Sequence, residues 1–314
     1  MQDKINNEHD LGYKHILSHK KTFVEFLRSF VNKEWVNLID VENLILIDKE
    51  FILEDFKEEE ADIVYKVNID GNDIIFYILL ELQSKVDYRM PIRLLMYMTE
   101  IWREELKNTE DKVKRRKDYK LPAIVPIVLY NGKNKWTAAR NFKEVLNGYE
   151  LFDENIIDFR YMLFDVNRMK EGELLDIANL ISSVFLLDQD RGKEEIIQRL
   201  KLIGKYIRKC VDKEQEKVFK NWLINIFKNR LNYEEKEHLL EFLIESNNME
   251  VDDMMSNLGR RLEEEFRQTK EEGKQVKAKE IAKNLLLMGI DIDTIIRATG
   301  LSNEDIEKIK SSMN

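Results

Sequence analysis

The chain has 314 residues, 43% apolar and 35% charged, with a formal net charge of −9. That length supports one large core or two smaller ones, and the acidic balance argues against a protein that holds nucleic acid by bulk charge. A single cysteine, Cys210, excludes an internal disulfide and a thiolate zinc site and fits a reducing cytoplasm. No apolar run approaches the roughly 18 residues of a membrane span, and the opening MQDKINNEHD has no signal-type apolar stretch, so the expectation is a cytoplasmic protein with no membrane contact.

In chain order, Tyr13, Ile16, Leu17, Phe23, Phe26, Leu27 and Phe30 form a helical stripe over residues 10–31, interrupted near Ser18. The apolar run Leu44 to Ile47 predicts a strand. Residues 60–84 predict a β-hairpin turning at Asp70-Gly71-Asn72-Asp73. Pro91 sits in the first turn of a helix running from Ile92 to about Leu106. The basic run 112–120 (KVKRRKDYK) has no apolar period and reads as a loop. Ala123 to Tyr130 is a buried strand despite Pro126, closed by Asn131-Gly132, and Ile156 to Val166 is a further strand. This order predicts an α/β (α+β) mixed sheet flanked by helices over residues 1–168. Beyond it, helices are expected over 171–188, 192–211, 214–230 and 233–246, dividing the remainder into a helical region at 169–250 and a long charged helix with a terminal helical hairpin at 251–314. In that hairpin Gly300 reads as a helix-ending residue and Ser302 as an N-cap.

The hairpin carries the chemistry. With Gly71-Asn72 as the loop, Ile63 faces Leu80, Tyr65 faces Ile78, Val67 faces Phe76 and Ile69 faces Ile74, a continuous apolar face. Asp62 then lies across from Glu81, with Gln83 two residues along on the same side. With Asp70-Gly71 as the loop the register shifts by two, and Asp62 and Glu81 become diagonal neighbours on that face. Cβ separations are about 5 Å for opposite and about 7 Å for diagonal positions. Carboxylates that close repel unless a cation lies between them, and a hard divalent ion is the natural candidate. A solvated strand face would account for Lys66 and Asn68, but Ile75, Tyr77 and Leu79 share the acid-bearing face of the second strand. A face apolar at one end and acidic at the other reads as a cleft floor. Two carboxylates with the Leu82 backbone carbonyl could hold one Mg²⁺ and leave room for water and a phosphate oxygen.

The stretches HDLGYKHILSHKKTFVEFL (9–27), EADIVYKV (60–67), ILLELQSKVDYRMPIRLLMYM (78–98) and PIVLYNGKNKW (126–136), and the tail MGIDIDTIIRATGLSNEDI, carry a resemblance spanning nearly the whole chain. The acid–hairpin–Glu-x-Gln pattern resembles the active-site motif of the PD-(D/E)XK nuclease superfamily. More specifically, the chain is similar to the Rpn family of recombination-promoting nucleases, also described as transposases. The resemblance implies a PD-(D/E)XK-like core and an Mg²⁺-dependent endonuclease cutting DNA, with Mn²⁺ or Ca²⁺ able to substitute in binding. Asp62 and Glu81 would be ligands and Gln83 would occupy the superfamily's lysine position. Ala61 replaces the motif's proline, and Gln83 orients water or phosphate without bringing positive charge.

Asp10 is a further candidate ligand, and equally a helix N-cap. His9, His15 and His19 do not converge on one helix face, which argues against a histidine metal site. Arg89 and Arg93, four apart, could meet phosphate or pair with Asp87. Lys114, Arg115, Arg116 and Lys117 could track a DNA backbone or simply be solvated. In the terminal hairpin the second helix begins Ser-Asn-Glu-Asp, pushing acids at any phosphate, so a packing or dimerisation element is expected there rather than a helix-turn-helix. A homodimer through the C-terminal helices follows from that reading. The competing function is a catalytically weak DNA- or protein-binding module with a degenerate nuclease site.

Overall fold

The computed structural model describes residues 11–47, 63–81, 86–230, 241–242 and 245–312. Five strands form one sheet in the order β1 (Ile45–Ile47), β2 (Ile63–Ile69), β3 (Asn72–Glu81), β4 (Ala123–Tyr130) and β5 (Met162–Asp165). The first three are antiparallel, whereas β4 and β5 run parallel to β3. A parallel neighbour requires a crossover, and helix α2 (Met90–Asn108) supplies it between β3 and β4. Pro126 is tolerated one residue before the β4–β5 pairing starts at Ile127.

The hairpin takes the second of the two registers. Ile63 pairs with Ile78 and Ile69 with Asn72, so Asp70-Gly71 is the loop rather than Gly71-Asn72. Asp70 and Gly71 have φ of 50° and 79°, the pair of left-handed residues that matches the twist of the strands they join. Asn72 is released to the ladder, while Asn68 Oδ1 accepts the Gly71 N–H at 3.0 Å and secures the turn.

Alternation along the strands buries both sheet faces. Ile63, Tyr65, Val67, Ile69, Phe76 and Ile78 face α1 (Lys20–Phe30), where the Phe23 ring stacks on Tyr65 at 4.5 Å. The helical stripe breaks at Ser18-His19 as expected, and Tyr65 Oη donates to the carbonyl of Leu17 at 2.9 Å, just before the break. Helices α3 (Glu171–Ile177), α4 (Leu180–Asp188), α5 (Lys193–Gly204) and α6 (Lys213–Arg230) extend this layer, so side chains from both sides of residue 168 share one core. On the opposite face Val64, Ile75, Tyr77, Leu79, Val128 and Tyr130 pack beneath α2. Lys66, also on this face, pairs with Asp73 at 2.9 Å and Glu105 at 3.6 Å.

Three expected elements are shorter or broken. The strand expected from Ile156 begins only at Met162, because Phe159 stacks on Phe142 at 5.3 Å and its carbonyl accepts the Phe142 N–H. The helix expected over 171–188 breaks at Ala178, which takes φ 47°, and Asn179 restarts it through a capping box with Ser182. The helix expected over 192–211 stops at Gly204 and is followed by a single turn, Ile207–Cys210. The basic run begins with one helical turn, Asp111–Lys114, before becoming irregular. The helix expected over 233–246 lies mostly outside the described residues.

Helix α7 (Val251–Leu287) continues for 37 residues into α8 (Ile292–Thr299) and α9 (Asn303–Ser311). Gly300 takes φ 70°, and Ser302 Oγ accepts the Asp305 N–H at 3.1 Å, as the sequence predicts. Ala282, Ile295 and Ile306, with six partly buried hydrophobics packed against them, form the small core of this terminal unit, and its caps add to that core. Ser302→Ala is expected to cost about 1 kcal/mol. Amide exchange across 292–311 should rise about fivefold while the sheet is unaffected; equal protection in both proteins would show that the cap contributes nothing.

Candidate active site

β3 ends at Glu81, whose register partner is Tyr130 at the end of β4, and Tyr130 is in turn matched to Asp165 at the end of β5. Three parallel strands therefore terminate side by side. Their carboxyl edge is where open α/β sheets bind ligands. For Glu81 the described feature is its strand position; Asp10, Asp62, Leu82 and Gln83 lie outside the described residues. Among the described residues no three His, Cys, Asp or Glu side chains come together as a metal site. His19 is engaged instead by Thr22 at 3.1 Å and Glu214 at 3.4 Å.

Arg89 and Arg93 both turn to Asp87, through Arg89 Nε at 3.2 Å and Arg93 Nη1 at 3.0 Å. Burial alone would raise the Asp87 carboxyl, but hydrogen bonds from the Arg89 backbone and both guanidiniums hold it below its usual value. The arginines thus flank the start of α2 as a charged cluster around one acid. In the basic run, Lys114 pairs with Asp111 at 2.7 Å and caps the Leu106 carbonyl at 3.0 Å, and Arg116 pairs with Asp118 at 2.6 Å. Arg115 and Lys117 are exposed with no ion-pair partner among the described residues.

Several groups at the carboxyl edge carry no signal in the sequence pattern. Asp188, 1% exposed at the end of α4, accepts a hydrogen bond from Tyr13 Oη at 2.7 Å and another from Asn131 Nδ2. This ties the N-terminal helical segment 11–17 to the turn that follows β4. Asn167 Nδ2 donates to the Asn131 carbonyl at 2.9 Å and the Gly132 carbonyl at 3.2 Å. At Asp165, burial pushes the carboxyl up, partly offset by Arg168 at 3.8 Å, the Trp136 N–H and Lys135. Asp188 reads in sequence as the polar end of an apolar helix and Asn131 as turn chemistry, because their partners lie 57 residues apart.

Fold and edge together define a class, a mixed α/β sheet with a candidate site at its parallel strand ends and a long helical tail. Residues 7–218 match the family model described as "Putative transposase, YhgA-like", and the chain belongs to that family. Residues 275–311 match a second model, "Rpn/YhgA-like nuclease family, C-terminal HTH domain". This corrects the expectation that the terminal hairpin is not a helix-turn-helix. The two-helix reading missed the third helix, which is the amphipathic C-terminal end of α7, contributing Ala282 to the small core.

Among curated proteins, recombination-promoting nuclease RpnC of Escherichia coli (strain K12) is 32% identical over 125 residues, 40% of this chain and 39% of that protein. RpnD of Escherichia coli O157:H7 is 28% identical over 124 residues, 40% of this chain and 45% of that protein. The chain thus matches less than half the length of either. Inactive recombination-promoting nuclease-like protein RpnE of Escherichia coli (strain K12) is 20% identical over 311 residues, covering 97% of this chain and 98% of that protein. No solved structure matches the chain. Among the described residues no helix is long and apolar enough to cross a membrane.

Proposed function

We propose that the chain is an Mg²⁺-dependent DNA endonuclease that hydrolyses phosphodiester bonds with little sequence preference and acts in recombination or transposition in the cytoplasm. The observation that carries this is the placement of Glu81 at the end of β3, beside the ends of two parallel strands; in sequence Asp62 directly precedes β2. The donor chemistry fits the ion. The candidate ligands are hard oxygens, Asp62, Glu81 and the Leu82 carbonyl, with Asp10 as an additional acid, and the described residues hold no histidine or cysteine cluster that would suit a softer metal. When bound, Mg²⁺ acidifies a water and neutralises charge growing on the phosphoryl oxygens.

The chain's own groups do the rest. Gln83 orients the attacking water or the scissile phosphate through its amide, and basic side chains near the strand ends hold the DNA backbone. The helix-turn-helix unit at 275–311 adds a second DNA contact, supported by Lys308 and Lys310 exposed on α9.

A second reading, a DNA- or protein-binding module without turnover, is favoured by Gln83 in place of lysine and by the long match to RpnE, a protein named as inactive. Incubating the full chain with supercoiled plasmid separates the two. Nicking and linearisation that require Mg²⁺ and stop with EDTA are expected. DNA that is bound yet intact over hours would sink the enzyme reading in favour of the binding one.

A further inference from the structure

The turn after β4 is pinned more thoroughly than chain reversal needs. The Asn131 and Gly132 carbonyls accept from Asn167 at 2.9 and 3.2 Å, and Arg168 donates to the Gly132 carbonyl at 3.2 Å and to that of Lys133. The Asn134 carbonyl accepts from Tyr130 Oη at 2.8 Å. The Trp136 N–H reaches Asp165 at 3.5 Å, and its buried indole donates to Tyr161 Oη at 2.9 Å. Burial pushes the Tyr161 hydroxyl up to about 12, so it stays protonated and donates onward to the Ala139 carbonyl at 2.7 Å. The ring of Tyr130 fills the inside of the turn, which is why residue 132 has to be glycine: a Cβ there would lie 2.0 Å from Tyr130 Oη.

This framework presents two lysines. Lys133 is engaged by Asp190 at 3.2 Å. Lys135 sits between Asn134, whose carbonyl is held, and Trp136, whose N–H and ring are held. It is exposed and has no ion-pair partner among the described residues. Asp165, whose carboxyl feels the Lys135 charge, is engaged by Arg168 at 3.8 Å. A fixed backbone carrying an exposed ammonium outside any ion pair of the described residues, at the carboxyl edge, is a pre-organised anion contact: only the lysine side chain must be ordered on binding.

We propose that loop 131–136 is a built phosphate contact in which Lys135 grips the DNA backbone beside the scissile bond, supplying positive charge that Gln83 does not. The inference rests on the endonuclease reading given above. Strand spacing of about 4.8 Å places the end of β5 roughly 10 Å from the end of β3, a distance of about two or three nucleotides along one DNA strand. Lys135 is a positioning residue, since it meets a neighbouring phosphate rather than the reacting one.

The test is fluorescence anisotropy of a labelled duplex with the full chain in Ca²⁺, titrated across salt concentrations, alongside plasmid cleavage in Mg²⁺. Lys135→Ala should lower the slope of log K against log salt by about one, with Lys135→Arg restoring it, whereas Lys217→Ala, on the exposed face of α6, should leave it unchanged. Lys135→Glu should weaken binding further and slow cleavage in step with affinity at subsaturating protein. Wild-type slope and affinity in Lys135→Ala and Lys135→Glu, while the wild-type chain binds and cuts, would overturn the Lys135 assignment and leave the nuclease reading intact. A wild-type chain that neither binds nor cuts DNA overturns both.

Discussion

Replacing Asp62 or Glu81 by alanine is expected to lower Mg²⁺-dependent plasmid cleavage by about a thousandfold. Phosphodiester hydrolysis concentrates negative charge on the phosphoryl oxygens, and a divalent ion held by two carboxylates stabilises that charge by several kcal/mol. A loss of about 4 kcal/mol corresponds to roughly three decades in rate. The defect should lie in turnover, not in affinity. Removing an acid beside the phosphate lessens repulsion, so duplex binding in EDTA, where no ion joins the acids to the DNA, should be equal to or tighter than that of the wild type, and the single-turnover rate in Mg²⁺ should stay low at saturating protein. Cleavage rates within twofold of wild type in both variants would remove this hairpin as the catalytic centre.

Gly132→Ala is expected to destabilise the protein by about 3 kcal/mol, the upper part of the range for overpacking a filled core. The new methyl would stand 2.0 Å from Tyr130 Oη and 2.1 Å from Cζ. The ring has little room to retreat, because Tyr130 is fully buried, meets the Trp136 ring at 4.8 Å and is hydrogen-bonded to the Asn134 carbonyl. Thermal unfolding should move down on the order of 5–10 °C. A parallel loss of DNA affinity would follow from displacing the loop. An unchanged Tm would mean that Tyr130 finds another rotamer at no cost, and that the turn is less constrained than its contacts imply.

The parts of the fold set by local periodicity were legible in the sequence. Alternation in residues 63–81 marked the hairpin, the unbroken run Ala123 to Tyr130 marked an inner strand, and Gly300 with Ser302 marked the terminal helix boundary. What was not legible depended on competition between local and distant partners. Gly71-Asn72 and Asp70-Gly71 are both acceptable turn pairs, and the choice fell to the second because Asn68 closes it. The apolar residues of 156–161 look like strand, but Phe159 is claimed by Phe142. For the candidate site, Glu81 could be read directly as the end of the second hairpin strand, while Asp62 lies outside the described residues. The network at the carboxyl edge could not, since Tyr13, Asn131, Asn167 and Asp188 come from separate elements and each alone looks like an ordinary turn, cap or core residue.

Helix α7 behaves as a ruler. Its 37 residues extend about 55 Å, and residues 267–277 are exposed on every side, covered by neither the main core nor the terminal one. An exposed helical rod transmits both length and phase. Adding one residue within it would rotate the terminal unit by about 100° and advance it by about 1.5 Å, whereas adding seven would nearly restore its facing direction at a distance about 10 Å greater. The helix-turn-helix unit therefore stands at a set reach and a set angle from the sheet, and changing the length of α7 shifts the two in steps that cannot be made independently.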